Sequence, residues 1–463
     1  MFMYTDYTQH LLDNVKKIHF IGCGGSGMYP LIQILSAKGY DISGSDVLDG
    51  SIIRSEREMG VKVTLGHSAD NVVGADLVVY SAAIAKDNVE LNAAASYGIT
   101  TVERSVLLGY VSRLYKQSIC VSGTHGKTTT TSMATHIFMA AQADPTVMIG
   151  GTLPLLHSGY RVGRGDTIIL ESCEYCNSFL NFFPTVAVIL NVHADHLDFF
   201  KDLEDIRHSF HQFAALLPSD GTLIINGDID NYQEIYDSLD CNVITYGSSD
   251  MLDYSASNIT YDEKGLVAFD LIKNGKVVDH IQLSVTGDHN VSNALASIAT
   301  AELLQIPMET IKKGILSFSG TDRRFEYKGT FNGVTVVDDY AHHPTEIAAT
   351  LKAAQHYPHN QVWCVFQPHT YTRTKAFFHE FAEALSHTDH LVLADIYAAR
   401  ETDTLGVSSA GLAEEARKLG TDAHYLPSFE EIEAFLKENC KSGDLLITMG
   451  AGDVVKIGED LLK

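Results

Sequence analysis

The stretch that decides the fold around it is Ile-Cys-Val-Ser-Gly-Thr-His-Gly-Lys-Thr-Thr-Thr-Thr-Ser, at residues 119–132. It begins with β-branched and apolar residues, turns between Gly123 and Gly126, and then enters a helical pattern. A strand, a glycine turn and a helix in this order form a phosphate cradle, because backbone N–H groups and the helix N-terminus converge on the anion. Lys127 is expected to reach the β- and γ-phosphates of a nucleotide, and the Thr128 hydroxyl to bind Mg²⁺. The stretch predicts a protein that uses ATP or GTP.

The cradle departs from the general phosphate-loop pattern, which has four residues between its glycines before Gly-Lys-Thr. Here only Thr124 and His125 separate the two glycines. The alternative interpretation is a plain strand-to-helix turn with a solvated lysine. The four threonines that follow form helices poorly, but they suit a helix start, where hydroxyl groups cap free N–H groups.

Composition limits the classes of protein to which the chain can belong. Its 463 residues are enough for about three domains. Lys and Arg number 33 and Asp and Glu 58, a formal charge of −25 that disfavours nucleic acid and anionic membranes as partners. The first twelve residues lack the apolar core of a signal peptide, and no apolar stretch is long enough to span a membrane. With seven scattered cysteines, including a lone CxxC at Cys173 and Cys176, we expect reduced thiols in the cytoplasm and no structural zinc.

The first segment has a second glycine-rich turn. Residues 17–21 read as a strand, and Gly22, Gly24 and Gly27 follow it in the pattern G-x-G-x-x-G before an apolar helix. A later strand ends at Asp46, at the position of the acidic ribose partner in a dinucleotide fingerprint. The pattern predicts a nucleotide diphosphate ligand. A tight strand-to-helix turn without a ligand is the alternative.

The second segment supplies candidate metal ligands. An apolar strand at residues 166–171 ends in Glu171, and another at residues 186–191 leads to His196. Because ligands bind at the carboxyl ends of strands in α/β sheets, we expect two neighbouring strands to present these side chains to one cleft with Thr128. Mg²⁺ often uses few protein ligands besides phosphate oxygens. The alternative for His196 is a hydrogen-bonded core residue.

Polar residues also recur further along the chain. Asn290 and Asn293 open an alanine-rich helix and are placed either to hydrogen-bond an adenine edge or to cap the helix. In the third segment, strands such as residues 334–339 and 362–366 end in polar clusters, the pattern expected at the binding edge of a doubly wound sheet. A single member such as His369 has a structural role as its alternative.

Several motifs together carry a family resemblance. They are residues 22–28, residues 123–130, residues 191–198, His289-Asn290, residues 323–326, residues 338–346 and residues 367–369. In this order, over nearly the whole chain, they resemble the Mur ligases, the ATP-dependent amide-forming enzymes of peptidoglycan synthesis. That family has the same short gap between its loop glycines.

The resemblance implies an α/β chain of three domains. Residues 1–116 would be a Rossmann-like domain that binds a UDP-sugar, residues 117–319 a central P-loop-like ATPase domain, and residues 320–463 a Rossmann-like C-terminal ligase domain. It further implies ATP and Mg²⁺ as cofactors, UDP-N-acetylmuramate and L-alanine as substrates, an acyl-phosphate intermediate and a monomer or weak homodimer in the cytoplasm.

The resemblance also assigns site residues. Catalytic roles fall on Lys127, His125, His196, Arg324 and His342. ATP would contact Gly123, Thr124, Gly126, Lys127, Thr128, Thr129, Asn290, Asn293, Arg324 and Asp339. The UDP-sugar would contact Gly22, Gly24, Gly25, Ser26, Gly27, Met28, Asp46, Ser81, Ala82 and His125. The amino acid would contact His342, His369 and Arg373, and the metal Thr128, Glu171 and His196.

Two departures from the family pattern bear on these assignments. Cys173 and Cys176 stand where many Mur ligases have aspartates. We assign the metal to Glu171 at the strand end and leave Glu174 as a substrate or metal-supporting contact. The helix near residues 203–217 has no lysine, whereas family members that add later residues carry a carbamylated lysine there. This absence favours L-alanine as the amino acid.

The sequence leaves three alternative functions open. A recycling ligase that adds a tripeptide to the same UDP-sugar would share most of these motifs. A nicotinamide-dependent dehydrogenase would use the first segment but would leave Gly-Lys-Thr and the metal cluster unexplained. A non-catalytic nucleotide-binding regulator would bind ATP without releasing phosphate.

Overall fold

The computed structural model describes residues 10–25, 27–81, 83–197, 199–399, 401–402 and 405–463. The predicted contact residues Ser26 and Ala82 lie outside these ranges, as does Asp198. Within the described residues the chain forms three α/β units, each built on its own sheet. None of the helices in these residues is long and apolar enough to cross a membrane.

The N-terminal unit is a doubly wound parallel sheet, and its strand order is β3-β2-β1-β4-β5. This order confirms the Rossmann-like prediction. Its elements are β1 (Lys17–Ile21), α1 (Tyr29–Ala37), β2 (Asp41–Asp46), α2 (Ser51–Glu58), β3 (Lys62–Leu65), β4 (Leu77–Tyr80), α3 (Val89–Ser96), β5 (Thr100–Glu103) and α4 (Arg104–Ser112).

The central unit has a ten-stranded sheet in the order β15-β14-β13-β12-β11-β10-β6-β9-β7-β8. Its elements are β6 (Gln117–Ser122), α5 (Lys127–Ala140), β7 (Thr146–Leu153), β8 (Ser158–Arg161), β9 (Thr167–Glu171), β10 (Val186–Ile189), α6 (Leu203–Ala214), β11 (Thr222–Asn226), β12 (Asn242–Gly247), β13 (Tyr254–Tyr261), β14 (Val267–Lys273), β15 (Lys276–Gln282), α7 (Asp288–Leu303) and α8 (Met308–Ser317). The strands from β9 to β12 are parallel to β6, and antiparallel hairpins close both edges.

One prediction about this sheet is wrong. The strands that lead to Glu171 and His196 are not neighbours, because β6 lies between β9 and β10 and pairs with both. A doubly wound sheet does not order its strands as the chain does. The phosphate loop, which follows β6, therefore emerges between the two strands.

The C-terminal unit is a second Rossmann-like sheet, in the order β16-β17-β21-β18-β19-β20. All its pairings are parallel except the β16–β17 hairpin. Its elements are β16 (Glu326–Phe331), β17 (Val334–Asp339), α9 (Pro344–Ala354), β18 (Val362–Phe366), α10 (Tyr371–Ala376), α11 (Phe378–Leu385), β19 (His390–Leu393), α12 (Ser409–Lys418), β20 (Asp422–Tyr425), α13 (Phe429–Asn439), β21 (Leu445–Met449) and α14 (Val455–Leu461).

The N-terminal and central units share one hydrophobic core. Leu107 and Val111 of α4 belong to the same buried cluster as Phe179 and Phe182 of the central unit. Helix α4 approaches so closely that a Cβ on Gly109 would lie 1.8 Å from the carbonyl oxygen of Asn181. Only glycine fits at that contact, so the two units pack along α4 without an intervening layer of side chains.

The central and C-terminal units meet at a polar junction. Lys352 of α9 forms an ion pair with Asp288 of α7, at 2.6 Å between Nζ and Oδ2. Nearby, the ring of His356 stacks on Tyr261, with centroids 3.7 Å apart. Polar contacts of this kind are typical of interfaces between domains that move relative to each other.

A buried carboxylate organises the polar centre of the N-terminal unit. Glu90, near the start of α3, accepts hydrogen bonds from Ser45 Oγ at 2.6 Å, Asn71 Nδ2 at 2.5 Å and the Ser68 N–H at 3.1 Å. His19 Nε2 lies 3.3 Å from the same carboxylate. Burial raises the pKa of Glu90, but the hydrogen bonds from its neighbours outweigh burial and lower it to about 2.

We predict that Glu90→Gln lowers the free energy of unfolding of the N-terminal unit by about 2–3 kcal/mol, because hydrogen bonds to a buried charge are lost. Hydrogen exchange of peptides from residues 17–103 measures this. Because folding lowers the pKa of Glu90, its contribution is complete above the ordinary value of 4.5 and is lost as the pH falls towards 2. The difference between the two proteins should therefore shrink below pH 4.5. Glu58→Gln, at an exposed position of α2, is the control and should change stability by less than about 0.5 kcal/mol.

Candidate active site

The phosphate loop connects β6 to α5 and is held by one asparagine. Gly126 adopts a left-handed conformation with φ of 83°, which turns the chain directly into the first residue of α5. Asn191 accepts a hydrogen bond from the His125 N–H at 2.8 Å and donates one to the His125 carbonyl at 3.0 Å. The Thr124 N–H reaches the Asn191 carbonyl at 3.2 Å. The loop is therefore fixed before any ligand binds, and Asn191, which holds it, was missed as an individual site residue.

Lys127 is largely buried at the start of α5, with 12% of its side chain exposed. Its ammonium group donates to the Gly123 carbonyl at 2.5 Å, to the Thr124 carbonyl at 3.0 Å and to Glu174 Oε2 at 2.9 Å. Burial lowers the pKa of Lys127, but the adjacent Glu174 carboxylate outweighs burial, and the net shift is upward. The site therefore holds a permanent positive charge beneath the loop.

Two oxygen ligands for a cation stand together beside this loop. The Thr128 hydroxyl lies 3.0 Å from Glu171 Oε1, and the Gly150 N–H donates to the other oxygen of Glu171 at 2.7 Å. A hydroxyl and a carboxylate are the oxygen ligands that Mg²⁺ accepts, with phosphate oxygens and water completing its coordination. Among the described residues, no three His, Cys, Asp or Glu side chains are close enough together to hold a metal by themselves. The pair therefore fits a Mg²⁺ that arrives with a nucleotide.

The predicted metal site combined His196 with Glu171, but in the structure His196 lies near Glu174. Its Nε2 lies 3.7 Å from Glu174 Oε1, and its ring contacts Tyr175 with centroids 4.7 Å apart. Its backbone is left-handed, with φ of 53°, and its N–H donates to Asp195 Oδ1 at 2.7 Å. His196 and Lys127 therefore share Glu174, whereas Thr128 pairs with Glu171.

A cavity of about 410 Å³ lies between the phosphate loop and the C-terminal unit. The predicted residues that line it are His125, Gly126, Thr128, Thr129, Asn290, Asn293, Arg324 and Asp339. The structure thus brings most of the predicted ATP contacts to one space. His289, Glu346 and Tyr357 also line the cavity and were missed as individual site residues.

The two asparagines of α7 are buried and bonded to each other. Asn293 Nδ2 donates to Asn290 Oδ1 at 3.1 Å, and Asn290 Nδ2 donates to the Thr286 carbonyl at 2.7 Å. Thr130 of α5 donates to Asn293 Oδ1 at 3.2 Å. The asparagines join α7 to the loop helix at the cavity wall, so they have a structural role whether or not they also contact a ligand.

The polar junction at residues 323–326 contains two arginines, of which Arg324 lines the cavity. The Arg323 and Arg324 guanidinium groups lie over the Tyr340 ring, at 4.9 and 5.3 Å from its centroid. Asp339 accepts from the Phe325 N–H at 2.9 Å and from the Ala341 N–H at 2.7 Å. Burial raises the pKa of Asp339 to about 6, against the opposing effect of Arg324.

The predicted amino-acid contacts gather around a carboxylate of the central unit. Arg373 Nη2 pairs with Asp195 Oδ1 at 3.1 Å, and Arg373 Nη1 lies 3.3 Å from His369 Nδ1. The rings of His342 and His369 stand 5.9 Å apart. Asp195 was missed as a partner because it is 178 residues from Arg373 in the chain.

The N-terminal glycine turn is tied to the end of β2. Asp46 accepts from the Gly24 N–H at 2.9 Å and from the Leu48 N–H at 3.0 Å, so its carboxylate supports the turn. The predicted residues Gly22, Gly25, Gly27 and Met28 belong to the same connection into α1, and Ser81 follows β4, the strand that pairs with β1.

A cation beside this turn was not predicted. A Cβ on Gly27 would lie 3.3 Å from the Arg104 side chain at the start of α4. Tyr29, at the start of α1, contacts Tyr160 of the central unit, with ring centroids 5.5 Å apart. The glycine turn therefore lies at the boundary with the central unit, beside a positive charge.

Residues 17–116 match the Mur ligase family catalytic domain, residues 121–301 the Mur ligase middle domain, and residues 323–452 the Mur ligase glutamate ligase domain. The chain belongs to the Mur ligase family. It is therefore an enzyme of the amide-forming class, as the motifs predicted.

Particular relatives refine this result. The chain is 56% identical to UDP-N-acetylmuramate–L-alanine ligase of Lachnospira eligens, over 97% of this chain and 99% of the relative, and 49% identical to that of Clostridium tetani, over 98% and 99%. A crystal structure of UDP-N-acetylmuramate-alanine ligase from Thermotoga maritima matches with a TM-score of 0.77 and 27% identity, covering 96% of this chain and 98% of the other. A murein peptide ligase from Psychrobacter arcticus, at 24% identity and a TM-score of 0.65, shares the fold.

We predict that Gly126→Ala lowers the affinity for ATP by about tenfold or more. The new Cβ would lie 2.7 Å from Asn293 Oδ1, and alanine is strained at a φ of 83°. Calorimetric titration with a non-hydrolysable ATP analogue measures the effect. Gly50→Ala is the matched control, because φ there is −92° and no described atom lies within 4 Å of the added Cβ. Equal affinities for the two variants would contradict the role of the loop turn.

Proposed function

We propose that this enzyme joins L-alanine to the lactyl carboxylate of UDP-N-acetylmuramate, with cleavage of ATP to ADP and phosphate. The observation that carries the proposal is the buried Lys127 ammonium beneath a preformed phosphate loop, next to Gly126 and Thr128, which line a cavity shared with the C-terminal unit. Relatives between 47% and 56% identical are named for this reaction, which supports the choice of substrates.

In this proposal each of the three units binds a different substrate. Residues 1–116 bind the UDP-sugar, residues 117–319 bind ATP and Mg²⁺, and residues 320–463 bind the amino acid and close over the nucleotide. The glycine turn, with Asp46 behind it and Arg104 beside it, suits a diphosphate at the boundary between the first two units. We place the reaction in the cytoplasm and expect a monomer or weak homodimer.

In the first step the lactyl carboxylate attacks the γ-phosphorus of ATP, and the bond from that phosphorus to ADP breaks. A carboxylate is a poor electrophile, and the resulting acyl phosphate supplies a leaving group. Lys127 neutralises charge on the transferring phosphoryl group, while Gly123, Thr124, Gly126 and Thr129 position the phosphates through the loop and the start of α5.

Thr128 and Glu171 would hold Mg²⁺, which neutralises charge on the phosphate oxygens when it is bound. His196 stands beside Glu174, the carboxylate that also pairs with Lys127. Arg324 and Asp339 connect the cavity to the C-terminal unit, and Asn290 and Asn293 border the space for the base.

In the second step the amine of the amino acid attacks the acyl phosphate. The C–N bond forms, the C–O bond to phosphate breaks, and the amide and phosphate are released. Arg373, held by Asp195, supplies a positive charge for the carboxylate of the amino acid, with His342 and His369 beside it. Positioning of the two reactants supplies much of the rate acceleration.

The experiment is a phosphate-release assay with UDP-N-acetylmuramate, Mg-ATP and a panel of amino acids and the recycled tripeptide. We predict release that depends on all three substrates, with L-alanine preferred. Release with the tripeptide but not with L-alanine would overturn the assignment.

Lys127→Ala should reduce both ATP turnover and ligation by about 100- to 1,000-fold, because the charge that stabilises the transferring phosphoryl group is lost. Steady-state kinetics with both product assays measure this. Lys201→Ala removes a lysine that is 86% exposed and serves as the control, with rates expected to stay at the wild-type level. Near-normal turnover by Lys127→Ala would contradict its role.

A further inference from the structure

His125 of the phosphate loop and Glu346 of α9 form a pair that crosses the boundary between two units. His125 Nδ1 lies 3.2 Å from Glu346 Oε1, and both side chains are almost buried, at 12% and 13% exposed. The loop side of the pair is rigid, because the His125 backbone is bonded to Asn191 in both directions. The imidazole orientation therefore depends on the position of the C-terminal unit.

The carboxylate of Glu346 determines which ring nitrogen carries the proton. Burial raises the pKa of Glu346, but His342, His125 and Arg324 outweigh burial and hold it well below its ordinary value. An ionised carboxylate only accepts hydrogen bonds, so the Nδ1–H group of His125 donates a hydrogen bond to Oε1. In the neutral ring, Nε2 is then left with a lone pair.

The second ring nitrogen, His125 Nε2, is buried, and among the described residues it has no hydrogen-bond partner. A buried polar atom without a partner is costly, and such atoms are rare unless a ligand or water satisfies them. His125 lines the same cavity as Thr128, so a substrate group is a suitable partner for Nε2.

Two histidines and an arginine surround the pair. From the other side, His193 and His343 face His125, with ring centroids 5.4 and 4.9 Å away. Burial lowers the pKa of both rings, that of His343 to about 4, and so favours their uncharged forms. Arg324 Nη1, at 3.8 Å, shares Oε1 of Glu346 with His125.

The other oxygen of Glu346 has a separate partner. Oε2 accepts from the His342 N–H at 3.1 Å, and His342 Nδ1 lies 3.3 Å from it. One carboxylate thus connects the phosphate loop with a residue proposed to contact the amino acid. Its position in the first turn of α9 also places it where a helix favours negative charge.

We propose that Glu346 is a positioning residue that orients His125, and that His125 Nε2 takes the proton from the α-ammonium group of the incoming amino acid. The inference rests on the proposed function and identifies the base for its second step. The pair assembles only when the C-terminal unit is docked on the phosphate loop, so the amine is deprotonated only in the closed enzyme.

The proton balance is complete. An α-ammonium group has no lone pair and cannot attack a carbonyl carbon. It gives one proton to Nε2, and the free amine forms the C–N bond as the C–O bond to phosphate breaks. The second proton lost from nitrogen leaves with the phosphate, and the imidazolium returns its proton to solvent after product release. Glu346 stabilises the imidazolium without taking the proton itself.

The test compares two nucleophiles. Hydroxylamine is unprotonated at neutral pH, so it traps the acyl phosphate as a hydroxamate without needing a base. Glu346→Gln should lower kcat with L-alanine by about 100-fold while changing the rate of hydroxamate formation by less than about twofold. With L-alanine, the rate of the variant should rise steadily with pH as the fraction of free amine increases.

His125→Gln removes the imidazole that is proposed as the base and leaves the loop backbone unchanged. It should reproduce the same selective loss, and the double variant should be no slower than His125→Gln alone, because Glu346 acts through His125. Lys352→Gln is the control for docking, since it removes the ion pair with Asp288 across the same boundary. It should change the rates with both nucleophiles by the same factor.

Equal losses with L-alanine and hydroxylamine in Glu346→Gln and His125→Gln would overturn the inference, because the pair would then act before the acyl phosphate forms. That result would leave the proposed function intact. Failure of the wild-type enzyme to release phosphate with L-alanine would instead overturn the proposed function.

Discussion

The site depends on a single ammonium group being held in a mostly buried position. Lys127 is fixed by two carbonyl oxygens of its own loop and by Glu174, and the cost of burying its charge is offset by these contacts. The loop keeps this arrangement because Gly126 turns in a left-handed conformation and Asn191 bonds the backbone of His125 on both sides. A polyanion that binds here meets a preorganised positive site in a chain whose overall charge is strongly negative. Preorganisation of this kind lowers the reorganisation needed when charge shifts during phosphoryl transfer.

The N-terminal and C-terminal units contact the central unit through interactions of different kinds. The N-terminal unit packs on the central unit through a shared apolar core and the close approach at Gly109, a contact with little freedom to slide. The C-terminal unit instead meets the central unit through charged and polar pairs: Lys352 with Asp288, Arg373 with Asp195, and Glu346 with His125. Such pairs are formed and broken at lower cost than a hydrophobic interface, which suits a unit that must admit substrates and then close. The orientations of His125, Glu346 and Arg373 therefore depend on docking of the C-terminal unit on the central unit.

Much of the fold could be predicted from local patterns, and the pairing of distant residues could not. The two glycine turns and the strand ends at Asp46 and Glu171 were predicted because each is encoded within a few adjacent residues. The neighbouring position of β9 and β10 was predicted wrongly, because strand order in a doubly wound sheet is a tertiary property. Asp195 and Glu346 were missed because their partners come from other units. The assignment of the metal to Glu171 stays a prediction, and which carboxylate faces Lys127 is a matter of loop geometry: Glu174 bonds Lys127, whereas Glu171 bonds Thr128.

The central claim is that a sugar-borne carboxylate takes the terminal phosphoryl group of ATP. The most direct measurement uses UDP-N-acetylmuramate with oxygen-18 in both positions of its lactyl carboxylate, together with unlabelled Mg-ATP and L-alanine. If the carboxylate attacks the γ-phosphorus and the amine then displaces phosphate, each phosphate released carries one oxygen-18 atom, detected by mass spectrometry. Release of unlabelled phosphate at the rate of amide formation would contradict the account, because the oxygen joining carbon to phosphorus would then not have come from the sugar.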